Sequence, residues 1–227
     1  MRVLVFIVSH EMDIDKLPNI QILKQFMDRS GHEVDYAGIC SKNQFHVYDS
    51  IVHFKYKFIC EDKQLTKVCE FIKSFKSQLD YDWYVKTRPE IKLLEPINFS
   101  IMKPNAINAR AREYAGTRHI NYGLSVPINY PAWWKSVIYS PSKEQFVLDD
   151  QLYIFDHSII AGGYFEGIKK DYFLENEWAH TDYWKLQNTP LNVVGINLIF
   201  SKRFDSPSLN IAPQKGIVIY GLRKLGK

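Results

Sequence analysis

The sequence has few cysteines and no long apolar run, and both shortages narrow the kind of protein that it encodes. Its 227 residues include three cysteines, Cys40, Cys60 and Cys69, and none of them forms a CxxC pair. An odd number of scattered cysteines argues against a disulfide framework or a structural zinc site, and favours free thiols in a reducing compartment. No segment approaches the roughly 18 consecutive apolar residues that a transmembrane helix requires. We therefore expect a soluble and cytoplasmic protein.

The amino-terminal apolar run is also short. It covers residues 3–8 and follows Arg2, which leaves too few residues for the apolar core and cleavage site of a signal peptide. Because such a run is apolar on both faces, it is typical of a central strand in a parallel sheet. We interpret it as a buried strand.

A strong excess of charge is missing too. The 29 basic and 25 acidic residues leave a net charge of +4, which favours a phosphorylated small molecule but is too diffuse to indicate nucleic acid. Aromatic residues, by contrast, make up 15% of the chain. They either fill a large core or form a surface on which sugars or bases stack, and composition leaves both interpretations open.

Strand and helix patterns alternate along residues 1–91. Strands with continuous or alternating apolar residues are separated by segments whose apolar residues recur at helical spacing. This order predicts an α/β fold of GT-A-like or Rossmann type, with a central mixed but mostly parallel sheet flanked by helices. The predicted strands cover residues 2–8, 33–39, 50–58 and 83–87, and the predicted helices cover residues 15–29 and 61–79.

The remainder, residues 92–227, is less regular, and we assign it to the sugar and acceptor half of the same single domain. Residues 113–145 are rich in loop-forming and aromatic residues, and a long irregular stretch in a compact domain is usually functional or mobile. Further strands are predicted over residues 105–112, 152–155, 191–200 and 216–220, and a further helix is predicted over residues 175–186.

A cation and an anion follow the strand predicted at residues 83–87. Pro89 cannot donate to a strand ladder, so pairing should end there and place Arg88 and Glu90 at the carboxyl end of the strand. In open α/β sheets this is the edge at which ligands bind, and the two charges suit a phosphate and a divalent metal. The alternative is an ordinary core strand that ends in a solvated turn.

Two further acidic pairs have opposite interpretations. Asp149 and Asp150 can face the same edge, where one carboxylate would serve Mg²⁺ or Mn²⁺ and another would serve as a general base. Asp80 and Asp82 form a literal Asp-x-Asp, but they precede their strand and should lie at the opposite edge. We interpret Asp82 as a cap on the turn that enters the strand.

These segments resemble a known family. Residues 81–91, YDWYVKTRPEI, resemble the YDxxxxxRPD segment of small glycosyltransferase-like proteins, and residues 149–154, DDQLYI, resemble their DDQFAI segment. The order and spacing are similar to those of GT-A nucleotide-sugar transferases. The resemblance implies a nucleoside diphosphate sugar donor, with a UDP-sugar favoured, and a hydroxyl acceptor on a glycan or glycoprotein.

The resemblance also implies roles for individual residues. Arg88 and Glu90 stand where that fold has the two aspartates of its metal-binding DxD, so Glu90 is the predicted ligand of Mn²⁺ or Mg²⁺ and Arg88 the predicted diphosphate contact. Asp150, with Asp149 second, is the predicted catalytic residue, and the sequence leaves inverting and retaining chemistry open.

Other residues complete the predicted site. By the same resemblance, Ser9 and His10 fall where the nucleotide base and ribose lie. Arg110, with Arg112 and Arg118, either contacts the diphosphate or an acidic acceptor, or forms a solvated strand face. His180 is either a late metal ligand or a packed or surface residue of its helix.

One departure from the family pattern keeps a second function open. Because Arg88 replaces the first aspartate of DxD, a single carboxylate remains at the predicted metal position. The chain is therefore either an active glycosyltransferase or a non-catalytic nucleotide-sugar-binding module that partners an active transferase.

Overall fold

The computed structural model describes residues 1–113, 146–166, 191–193 and 198–200. The described strands are β1 (Arg2–Val8), β2 (Glu33–Cys40), β3 (Phe54–Ile59), β4 (Trp83–Thr87), β5 (Ile91–Leu93), β6 (Ile107–Glu113), β7 (Phe146–Asp156), β8 (Leu191–Val193) and β9 (Leu198–Phe200). The described α-helices are α1 (Leu17–Asp28), α2 (Gln64–Phe75) and α3 (His157–Ala161). Short 3₁₀ helices cover Ile14–Lys16, Phe45–Val47, Lys76–Gln78 and Phe99–Ile101.

The main sheet has seven strands in the order β3-β2-β1-β4-β7-β6-β8, and β5 pairs with β9 in a separate two-stranded sheet. Strands β3, β2, β1 and β4 run parallel, whereas β7 is antiparallel to both of its neighbours, β4 and β6. Strand β8 is again parallel to β6. The predicted α/β class, with a mixed and mostly parallel sheet flanked by helices, is confirmed.

Both faces of the sheet are covered by buried side chains. Successive residues of each strand point to opposite sides, so each strand contributes to both layers. In β1, Val3, Val5 and Ile7 pack in the layer that holds α1, while Leu4 and Phe6 pack in the layer that holds α2. Burial on both faces explains why β1 has a continuous apolar sequence.

Two predicted strands differ from the structure. The strand predicted at 50–58 begins only at Phe54, because the chain first makes a turn in which the backbone N–H groups of Ile51 and Val52 both donate to the carbonyl of Tyr48. The strand predicted at 191–200 is two strands, β8 and β9, which belong to different sheets. The largely apolar sequence of residues 191–200 does not reveal that its two ends belong to different sheets.

Other boundaries shift less. Residues 149–151 were predicted to precede a strand, but they lie within β7. The predicted helix at 175–186 and the predicted strand at 216–220 lie outside the described residues, as does most of the loop-rich stretch 113–145. Among the residues that the structure describes, no helix is long and apolar enough to cross a membrane.

Candidate functional site

The carboxyl edge of the parallel strands collects several polar side chains. Strands β1 and β4 are neighbours although β2 and β3 come between them in sequence, so the strand order changes direction between β1 and β4. In open α/β sheets ligands bind in the crevice at such a point, outside the carboxyl ends of the strands. Ser9 and His10 follow β1, Ser41 follows β2, and Arg88 and Glu90 follow β4. The ends of β1 and β4 thus lie at one edge of the sheet.

A buried lysine that the sequence analysis did not single out joins two of these strand ends. Lys67 of α2 is fully buried, and its Nζ donates to the carbonyl oxygen of Ser9 at 2.7 Å and to Ser41 Oγ at 2.5 Å. The same ammonium lies 3.4 Å from His10 Nδ1. The sequence does indicate this burial, because Lys67 precedes Phe71 by one helical turn and therefore shares the apolar face of the helix.

His10 is partly buried beside two cationic and two anionic side chains. Its Nδ1 lies 3.3 Å from Ser41 Oγ as well as close to Lys67. Partial burial of the ring lowers the pKa of His10 below its usual 6.5, and the nearby charges of Lys67 and Arg88 lower this pKa further. The negative charges of Glu90 and Glu11 oppose this effect without reversing it. The neutral form of the imidazole is therefore favoured.

Arg88 and Glu90 bind each other in the turn after β4. Arg88 Nε lies 3.2 Å from Glu90 Oε2, and the two side chains are 21% and 6% exposed. The turn is closed by a hydrogen bond from the Ile91 N–H to the Arg88 carbonyl, and Asn19 of α1 donates to the Pro89 carbonyl at 2.9 Å. The predicted phosphate and metal residues are thus adjacent and partly neutralise each other.

The predicted metal site is not assembled by the described side chains alone. Among them, no group of three or more histidine, cysteine or acidic residues is placed to hold a metal ion. Glu90 is held by a guanidinium, and His180 lies outside the described residues. The metal roles of Glu90 and His180 stay predictions.

A second buried lysine lies on the same face of the sheet. Lys86 of β4 is fully buried, and its Nζ donates to Gln64 Oε1 in the first turn of α2 at 2.9 Å. The ammonium also lies 5.5 Å from the ring centroid of Tyr153, the residue that pairs with Lys86 across β7. Two lysines of the α2 layer therefore approach the carboxyl edge.

The backbone of β7 carries Asp149 and Asp150 to this edge. Because β7 is antiparallel to β4 and Tyr153 pairs with Lys86, residues before Tyr153 lie toward the carboxyl end of β4. The pairing of β7 with β6 is irregular here, since residues 149–152 of β7 lie between two pairs that are separated on β6 by Arg110 alone. Such bulges are common beside active sites. The catalytic role of the aspartates and the diphosphate role of Arg110 stay predictions.

The literal Asp-x-Asp lies at the opposite edge, as predicted. Asp80 binds the Arg2 guanidinium with its carbonyl oxygen at 2.6 Å, and Asp82 Oδ2 accepts from the Arg2 backbone N–H at 2.7 Å. Asp82 thus ties the start of β4 to the start of β1. The prediction that Asp82 caps its own turn is wrong. The backbone N–H at the start of β1 needs an acceptor, and the Asp82 carboxylate accepts from it.

Comparison with models of protein families gives no match for this chain, and comparison with curated protein sequences gives none either. The interpretation of the site therefore depends on its geometry and on the sequence motifs.

Proposed function

We propose that the protein is a glycosyltransferase that moves a sugar from a nucleoside diphosphate sugar, foremost a UDP-sugar, to a hydroxyl group of a glycan. The observation that carries the proposal is the set of groups at one edge of the sheet, between the ends of β1 and β4. His10, Lys67 and Arg88 meet there, and the backbone register brings Asp149 and Asp150 to the same edge.

The cationic groups suit the diphosphate. The guanidinium of Arg88 matches two phosphate oxygens in one plane, and Lys67 and Lys86 add positive charge from beneath the edge. When the bond between the sugar and the diphosphate breaks, the electron pair stays on the phosphate oxygen. Fixed positive charge at that position stabilises the leaving group.

The acidic residues suit the acceptor. In an inverting reaction Asp150, or Asp149 as the second candidate, takes the proton of the acceptor hydroxyl while the hydroxyl oxygen bonds to the sugar carbon. In a retaining reaction the same carboxylate orients the donor sugar. Support for this assignment comes from the position of these residues along β7 and from the DDQ motif.

Mn²⁺ or Mg²⁺ is the cofactor that the motif implies. Divalent metals of this kind bind one or two carboxylates together with phosphate oxygens, and Glu90 is the carboxylate at the proposed position. Arg88 competes with a metal for that carboxylate, so metal dependence has to be measured separately from nucleotide binding.

Thermal stability against UDP, GDP, CDP and CMP, each with and without Mn²⁺, tests the proposal. A ligand at about 100 times its dissociation constant stabilises the fold by about 2.7 kcal/mol, which is readable as a rise in melting temperature. We expect the largest rise with UDP and a loss of that rise in Arg88→Met. Arg29→Met, which changes an exposed arginine at the end of α1, is the matched control. No rise with any nucleotide would contradict the proposal.

The second candidate is a nucleotide-sugar-binding module without catalysis. The pairing of Glu90 with Arg88 favours it, because the carboxylate at the metal position already has a cationic partner. Donor hydrolysis and transfer separate the two functions. For an enzyme we expect Asp150→Asn to reduce turnover at least about 100-fold while UDP binding is kept. A module binds the donor but neither hydrolyses it nor transfers its sugar, with any metal added.

A further inference from the structure

We propose that Lys67 is a positioning residue that holds His10 as the neutral tautomer protonated on Nε2, so that the ring presents an N–H donor to the nucleotide. The identity of the ligand rests on the proposed function. The state of the ring does not, because it is a property of the free protein.

The hydrogen bonds of Lys67 determine which nitrogen of His10 carries the proton. A buried ammonium has three N–H donors and needs acceptors for them. The Ser9 carbonyl and Ser41 Oγ accept two, at 2.7 and 2.5 Å, and the third side-chain hydrogen-bond contact of this ammonium within the described residues is His10 Nδ1 at 3.4 Å. Within the described part of the chain, no carboxylate lies within ion-pair distance of this ammonium. His10 Nδ1 must therefore offer a lone pair.

Ser41 is compatible with the same tautomer. Its hydroxyl oxygen accepts from Lys67, so its own proton is available for His10 Nδ1, which lies 3.3 Å away. Two donors thus converge on one ring nitrogen. Since a neutral imidazole has a single N–H, the proton is on Nε2, and that nitrogen makes no hydrogen bond to the residues that the structure describes.

Partial burial of the ring, together with the positive charges of Lys67 and Arg88, lowers the pKa of His10 and disfavours the cationic ring, although Glu90 and Glu11 act in the opposite direction. Lys67 faces it from α2, Arg88 and Glu90 face it from the turn after β4, and Glu11 is its neighbour in the chain. A proton on Nδ1 would point at an ammonium group, so the same contact that selects the tautomer also opposes protonation. These influences favour the neutral form of His10, and a neutral ring with its proton on Nε2 suits an acceptor oxygen of the nucleotide.

Nuclear magnetic resonance on the free protein tests the ring state. Histidine is labelled with ¹⁵N, and His10→Gln identifies the His10 signals among the seven histidines of the chain. We expect Nδ1 to give the shift of a bare ring nitrogen and Nε2 that of a protonated one. A protonated Nδ1, or an even mixture of tautomers, in the wild-type protein would overturn the proposal. This measurement is made with Lys67 in place, so it does not depend on whether a Lys67 variant folds.

Substitution of Lys67 tests the cause. In Lys67→Met we expect a mixture of tautomers and a higher pKa for His10, while Lys73→Met, which changes an exposed lysine on the same helix, should leave both unchanged. An unaltered His10 in folded Lys67→Met would show that Lys67 fills a structural role only.

UDP binding separates this proposal from the proposed function. His10→Ala should weaken UDP binding about tenfold, the value of one hydrogen bond. The UDP affinity of Lys67→Met is compared with that of Lys73→Met across a range of pH. This ratio should increase as the pH falls below the raised pKa of His10 in Lys67→Met, because the ring then becomes cationic. The titration of UDP itself is common to both variants. If no nucleotide binds, the proposed function and the named ligand fail, and the ring state is judged by the resonance experiment alone.

Discussion

Replacement of Glu90 by glutamine should reveal what the Arg88–Glu90 ion pair contributes to the fold and to binding. The Glu90 side chain is 6% exposed and the Arg88 side chain 21%, with 3.2 Å between Nε and Oε2. Glutamine keeps the shape and one acceptor oxygen but removes the negative charge. The guanidinium then remains largely buried without that compensation.

The expected loss of stability follows from the burial of the pair. Two unit charges about 4 Å apart interact by about 4 kcal/mol at the effective dielectric constant of about 20 that applies near protein surfaces. Removal of one partner from a buried pair typically costs roughly 3–5 kcal/mol. Arg88 keeps some contact with water, and a hydrogen bond to glutamine recovers about 1 kcal/mol. We therefore expect Glu90→Gln to lower the free energy of unfolding by about 2 kcal/mol.

Urea denaturation at pH 7 measures this loss, and UDP titration of the same variant measures its effect on binding. Glu61→Gln, an exposed glutamate before α2, is the control and should stay within about 0.5 kcal/mol of the wild type. Without metal, UDP should bind Glu90→Gln more tightly than the wild type, because Arg88 no longer shares its charge with Glu90. Any Mn²⁺-dependent part of the affinity should be lost.

Two results would refute this reasoning. If stability and metal-free UDP affinity both equal those of the wild type, the ion pair has no energetic role in this protein. If Mn²⁺ strengthens UDP binding in Glu90→Gln as much as in the wild type, Glu90 is not the metal ligand.

Three further changes test the fold around the site. Phe71 is fully buried against four other aromatic rings, so thermal unfolding should show a loss of roughly 3–5 kcal/mol for Phe71→Ala. The loss should be smaller for Phe75→Ala, which removes a partly buried ring, and equal losses would contradict this account. In Gly38→Ala the new Cβ would lie 2.7 Å from Phe45 Cδ1, so we expect a loss of about 1–3 kcal/mol in urea, and a neutral result would show that this ring yields freely. Burial raises the pKa of Asp35, but hydrogen bonds from a lysine and a tyrosine outweigh burial and leave this pKa below its usual value. Asp35→Asn should therefore cost stability at pH 7, and the difference from the wild type should shrink as the pH falls below the unfolded-state pKa of about 3.9; parallel pH curves would contradict this.

Much of the parallel half of the sheet could be predicted from the sequence. The prediction for β1 at residues 2–8 matches the structure, as does that for β4 at residues 83–87, and β2 is longer than predicted by one residue. Most positions of these strands are buried, and in β1 residues 3–8 are apolar without interruption, so the strand pattern is clear in the sequence. The position of Arg88 and Glu90 at the end of β4 could also be predicted. Pro89 cannot donate a hydrogen bond to a neighbouring strand, so strand pairing ends near it.

The contacts within the site could not be predicted in the same way. Lys67 shares the apolar face of its helix, and nothing in its own segment shows which acceptors it meets. Those acceptors are Ser9 and Ser41, which are 58 and 26 residues away in the chain. Likewise, the short distance between Arg88 and Glu90 in sequence does not reveal that they pair with each other, because that depends on a turn held from α1 by Asn19.

The sequence by itself thus determined the α/β class, the central strands and the edge at which the polar residues gather. These features depend on local periodicity and on where strands end, and both are visible in a short window of residues. Only the tertiary structure decided that the strand order reverses between β1 and β4, that Lys67 reaches the His10 ring, and that Asp149 and Asp150 approach the edge from within β7. Each of these depends on the pairing of segments that lie far apart in the chain, and a pairing of that kind is selected by the packing of the whole sheet and not by the residues of either segment alone.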